Sequence, residues 1–146
     1  MKIEIDQSGR VEYTSHKTVI ADSLGNAVYV TTSTKKIIQQ LYRKAGKPRV
    51  FVYELFALLI SLLIKTSYNK IHRYLIDTEY PGMSEFIKRY ILCFSSKINP
   101  KLNPDQISFG SIKEGSISDK IAHEEFLKIK NAKRISLETL LKFLLQ

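Results

Sequence analysis

KIEIDQSG, residues 2–9, is the stretch on which the fold of this chain turns. Lys2-Ile3-Glu4-Ile5-Asp6 alternates polar and apolar side chains with the period of two that a half-buried strand requires, and Gln7-Ser8-Gly9 supplies a turn. Extended candidates follow at 11–14 and 18–21. Ser23-Leu24-Gly25-Asn26 is a turn signal, and Ala27-Val28-Tyr29-Val30 has the composition of a strand. The beginning of the chain therefore predicts an antiparallel meander of three strands, the first of them ending on Asp6.

Beyond the meander the period changes. Thr32 and Ser33 are placed to cap a helix whose apolar face holds Ile37, Ile38 and Leu41, and Gly46 and Pro48 end it. The run 50–64 has two readings. Val50-Phe51-Val52-Tyr53 suits a strand, whereas the stretch from Leu55 to Ile64 prefers helix, and either version sets Glu54 at an element boundary. A strand at 71–77 closes on the turn Tyr80-Pro81-Gly82. Ser84 opens a helix with Phe86, Ile87, Tyr90, Ile91 and Phe94 inward, and 106–112 reads as the last strand. Gly115-Ser116 starts a helix bearing Ile117, Ile121, Phe126 and Leu127, and Ser136 caps a short terminal one. Three strands followed by alternating helices and strands predict an α/β fold, a mixed sheet covered by helices. Without repeats or a linker, residues 1–146 read as a single domain.

Composition narrows the function classes. A hydrophobic fraction of 44% and a mean hydropathy of −0.13 suit a soluble globular protein. The run 50–64 is shorter than the ~20 apolar residues that span a bilayer, and Glu54 interrupts it, so no membrane is expected. No basic-then-apolar leader precedes residue 6. Cys93 is the single cysteine, which excludes an intrachain disulfide and a cysteine-based zinc site; it reads as a small core residue of a cytoplasmic protein. His16 and His72 lack paired ligand spacing. The 23 basic against 14 acidic residues leave a net charge of +9, which favours polyanionic partners such as nucleic acid.

Against that positive background four acids stand out by position: Asp6 in IEIDQSG, Glu54 at the head of ELFALL, Asp77 in YLIDTEY and Asp119 in SDKIAHEEF. In this order and on this framework the sequence resembles the ribonuclease H-like superfamily, over roughly residues 1 to 131. The resemblance implies a sheet of about five strands, the antiparallel meander extended by parallel strands. It also implies an active site with an acid from the first strand, a Glu from the first helix region, an Asp from the end of the fourth strand and an Asp from a late helix. Carried over, Asp6, Glu54, Asp77 and Asp119 would be both catalytic residues and ligands of Mg²⁺ or Mn²⁺. Two such ions ~3.5–4 Å apart hydrolyse a phosphodiester only if several carboxylates converge on them. The chain departs from hybrid-cutting relatives after Asp6, where Gly9 alone follows closely, and before Asp119, where Lys113 is the nearest cation and no His precedes.

Each acid also has a plain structural role open to it. Asp6 and Asp77 suit turns, and Asp119 fits a Ser116-x-x-Asp119 cap. Glu54 is the exception, since a carboxylate in so apolar a run needs a partner or a cation. Lys113, Lys128, Lys130, Lys133 and Arg134 are candidate phosphate contacts. The leading expectation is a metal-dependent nuclease. The alternatives are a non-catalytic nucleic-acid-binding or protein-interaction module on the same fold, and a subunit whose apolar run 50–64 joins a partner, as in a homodimer.

Overall fold

The computed structural model describes residues 1–145. The meander forms as β1 (Lys2–Ser8), β2 (Thr18–Asp22) and β3 (Ala27–Val30), with β1 antiparallel to β2 and β2 antiparallel to β3. The first strand runs past Asp6 to Ser8, because Gln7 and Ser8 still pair with Ile20 and Val19. The segment 11–14 is not a strand. It is turn structure closed by the bond from Tyr13 N to Arg10 O, and only Val11 of it is buried among the core residues.

After α1 (Thr32–Lys44) comes α2 (Val50–Ser67), which settles the ambiguous run as one helix. Its N-cap Arg49 makes no side-chain capping bond. The helix does not need one: a cap contributes ~1 kcal/mol, whereas burying each Leu or Ile side chain contributes about 1.5–3 kcal/mol, and Leu55, Leu58, Leu59, Ile60 and Leu63 are all buried. By length and composition α2 could cross a membrane, but most of it lies inside the protein as the core helix of a soluble domain would.

The remaining elements are β4 (Arg73–Asp77), α3 (Ser84–Ile98), β5 (Ile107–Gly110), α4 (Ile117–Leu127), β6 (Lys133–Arg134) and α5 (Leu137–Leu141). Thr31, not Thr32 or Ser33, caps α1, and Met83 precedes α3 without a side-chain cap. Ile37, Ile117 and Leu127, expected on apolar faces, are exposed. Cys93 is exposed as well, on the outer side of α3. Among the described residues the sheet has six strands in the order β5-β4-β1-β2-β3-β6, with β4 parallel to β1, β5 parallel to β4 and β6 parallel to β3. The two-residue β6 carried no periodicity from which to read it.

Strand pairing sorts the side chains into two faces. Ile3, Ile5, Gln7, Ile20, Val28, Tyr74 and Ile76 share one, on which α2 packs, with α1 and α3 against α2. Asp6, Val19, Ala21, Leu75 and Asp77 share the other, which α4 covers. Small buried residues, Ala21 on the sheet and Ser118 and Ala122 on α4, let the helix lie close.

Two devices fix the 9–17 connection that lies between these layers. Lys35 of α1 is fully buried, and its Nζ donates to Tyr13 O at 2.8 Å, Thr18 Oγ1 at 2.9 Å and Arg10 O at 3.3 Å. Burial lowers its pKa to about 8, partly opposed by the charge of Glu12. Gly9 has φ +76°, and a Cβ there would overlap Lys17 O and lie 2.6 Å from Phe126 Cε2. Gly9→Ala is therefore expected to lower the free energy of unfolding by about 2 kcal/mol or more, read from the chemical-denaturation midpoint. A variant as stable as wild type would mean that α4 does not press on this turn.

Candidate metal centre

The parallel register of β1 and β4 sets Ile5 opposite Ile76. Asp6 and Asp77, the next residues, lie on adjacent strands toward the same end of the sheet and on the same face. After Asp77 the chain turns at once, Thr78 N donating to Gly110 O at 3.0 Å and Glu79 N to Asp77 O at 2.9 Å. This brings Glu79 back toward the strand ends. Carboxylate oxygens of Asp6, Asp77 and Glu79 all lie within 4.8 Å of one another.

Few donors meet these oxygens. Asp6 Oδ1 accepts from Gln7 N at 2.8 Å, and Asp77 Oδ1 accepts from Ile112 N at 2.9 Å, which holds the exit of β5. Arg10 pairs with Glu79 at 3.4 Å, donates to the Glu79 carbonyl at 2.9 Å, and at 2.9 Å also pairs with Glu12. Its guanidinium stands 4.9 Å from the centre of the Tyr80 ring. The Tyr80 hydroxyl donates to Glu12 Oε1 at 3.0 Å and accepts from Gln7 Nε2 at 3.3 Å, so Tyr80 joins the arginine network to β1.

One guanidinium does not neutralise three acids. Burial, then hydrogen bonding and repulsion from Asp77 and Asp6, push the Glu79 carboxyl up to about 8. Asp6 is raised to about 6, first by burial, with the Gln7 N–H pulling back and the charges of Asp77 and Asp119 pushing further. Burial and mutual repulsion thus both favour retention of a proton within this group of acids.

The four acids expected from sequence separate here. Asp6 and Asp77 converge. Asp119, in the first turn of α4, is close enough for its charge to be felt at Asp6, but its Oδ2 accepts from Gly115 N at 2.9 Å and its own N–H bonds Ser116 Oγ at 3.4 Å. That is the capping arrangement. Glu54 stands apart, for a simple reason: α2 packs on the face of the sheet opposite to Asp6. Its Oε1 accepts from the Tyr42 hydroxyl at 2.9 Å, and it lines a cavity with Lys47 and Tyr90. Glu79 was not anticipated. The one available signal was its spacing in IDTEY, two residues after Asp77, where a continued strand alternation would set both acids on one side.

The basic candidates also divide. Lys113 is exposed next to Ile112, the residue whose N–H Asp77 holds. Lys128 and Lys130 lie in the loop after α4, whose backbone Glu125 secures by accepting from Lys130, Asn131 and Ala132 N–H groups. Lys133 and Arg134 form β6 at the sheet edge, where with Lys65 they line a separate cavity of about 360 Å³.

No protein-family model matches the chain, and no curated protein or solved structure matches it either.

A carboxyl raised in the folded state contributes stability that is full below its unfolded pKa and is lost as pH rises through the folded one. The window is 3.8 to about 6 for Asp6 and 4.5 to about 8 for Glu79. In chelator-treated protein, Glu79→Gln is expected to melt a few degrees above wild type at pH 8 and level with it at pH 4. Equal differences at both pH values would show that the three acids do not repel one another.

Proposed function

We propose that the chain is a divalent-metal-dependent nuclease of ribonuclease H-like fold, hydrolysing phosphodiester bonds of a nucleic acid in the cytoplasm. The convergence of Asp6, Asp77 and Glu79 at the carboxyl ends of adjacent central strands carries this reading. The strand order supports it, since a meander extended through parallel β4 and β5 is the arrangement implied by the resemblance in sequence. The positive charge of +9 supports a polyanionic substrate.

The donor set suits the ion. All three side chains offer hard carboxylate oxygens, as Mg²⁺ and Mn²⁺ prefer, and three protein ligands leave room for retained waters. Asp6, central between β2 and β4, would be shared; Asp77 and Glu79 would flank it, with Asp119 on α4 the nearest further acid. Bound ions would supply an activated water and charge stabilisation at the leaving oxygen. The protein's own contribution is distinct. Glu79 would release its proton on taking up a cation, and Asp77 holds the exit of β5 through the Ile112 N–H. Arg10, with a side chain 37% exposed, keeps a cation at the rim where a phosphate would approach.

One observation favours the non-catalytic alternative: Asp119 and Glu54 both have structural partners. Calorimetric titration with Mn²⁺, combined with cleavage of labelled single-stranded, duplex and hybrid oligonucleotides, separates the two. The nuclease reading expects metal binding and cleavage, with Asp6→Asn and Glu79→Gln each losing ~100-fold or more of activity. Binding of nucleic acid without cleavage would favour the module. Absence of Mn²⁺ binding at millimolar ion would remove the metal centre altogether.

A further inference from the structure

Glu54 is only 7% exposed, on a helix whose neighbouring side chains are apolar. Such a carboxylate persists only with hydrogen-bond partners or a cation. Its partners are the hydroxyls of Tyr42 on α1, at 2.9 Å, and Tyr90 on α3. Among the described residues the direct ion pairs are those of Arg10 with Glu12 and with Glu79, so no cation contacts Glu54 directly, although the charge of Lys47 reaches it. A carboxylate has ~4 acceptor positions, and the tyrosines account for two of them.

The remaining acceptor capacity opens on a cavity of about 350 Å³. That is within the range of small-molecule sites. Its lining is rich in aromatic rings, Tyr90 and Phe94 of α3 together with Phe143. Lys47 and Lys97 complete the lining; neither makes a direct ion pair among the described residues, and the charge of Lys47 is felt at Glu54. A buried carboxylate, aromatic rings and two lysines in one lining together describe the ligand's chemistry. It has adjacent N–H donors on a planar ring and carries an anionic group.

We propose that this cavity binds a nucleotide, its base stacked on the aromatic wall with ring N–H donors on Glu54 and its phosphate on Lys47 and Lys97. Guanine, whose neighbouring ring N–H and amino group match the two free acceptor positions of a carboxylate, is the base that fits. The site lies on the opposite face of the sheet from Asp6 and does not depend on the metal centre. Each can therefore stand or fall without the other.

Cys93 also lines the cavity, is exposed, and is the chain's single cysteine, so its rate of reaction with a thiol reagent reports occupancy without any assay of activity. Guanosine monophosphate is expected to slow labelling of Cys93 in a saturable way, adenosine monophosphate much less, and inorganic phosphate not at all. Glu54→Gln is expected to weaken guanosine monophosphate by about 10-fold or more, since a carboxylate accepting two N–H bonds is replaced by an amide that offers one acceptor. Lys97→Ala, on the surface and without a role in the core, should weaken the nucleotide and leave guanosine unchanged. Two results would overturn the proposal: unaltered Cys93 labelling at millimolar guanosine monophosphate, or equal protection by both nucleotides. Should Glu54→Gln fail to fold, the Lys97→Ala contrast between nucleotide and nucleoside decides alone, and equal effects on both would count against the assignment.

Discussion

The acidic end of the sheet depends on the parallel pairing of β1 with β4, in which Ile5 stands opposite Ile76. Both isoleucines are buried under the helices of one face, so the register cannot slip by one residue without turning each strand's apolar side chains to the wrong layer. That apolar requirement is what forces Asp6 and Asp77 together on the other face. Hydrophobic burial spread over the whole sheet outweighs a local electrostatic cost, and the cost appears as the raised pKa values of Asp6 and Glu79.

How much of this was legible in the sequence varies from element to element. The alternation of residues 2–6 and the turn at 23–26 were local signals with local causes, and Asp22 confirms the second by accepting the N–H groups of Leu24 and Asn26. The 11–14 segment misled because Val11 and Tyr13 have strand propensity, whereas its conformation is dictated from outside by the buried ammonium of Lys35. Val50 to Tyr53 likewise has strand composition, and burial against the core overrides it. Propensity is weaker than packing.

The candidate site was half legible for a related reason. Asp6 and Asp77 lie on strands whose period of two is read directly from the sequence, and Asp77 ends its strand. Glu54 is carried by a helix, and order along the chain does not say which face of the sheet that helix will cover. Glu79 is positioned by a turn closed through Gly110, a contact between distant segments. Asp119 was open to a capping role from the start, and its bonds to Gly115 and Ser116 are those of a cap.

Glu125 gives the loop after α4 an unusual kind of independence. Its carboxylate is buried and binds three successive backbone N–H groups, those of Lys130, Asn131 and Ala132. Burial raises its carboxyl, yet these N–H groups outweigh that and hold it below its ordinary value. The loop's shape is thus written into main-chain atoms that every amino acid except proline possesses. The shape of the loop therefore does not rest on the side chains of Lys128, Lys130 and Asn131, which are exposed. A surface so built can change its charge without renegotiating the fold.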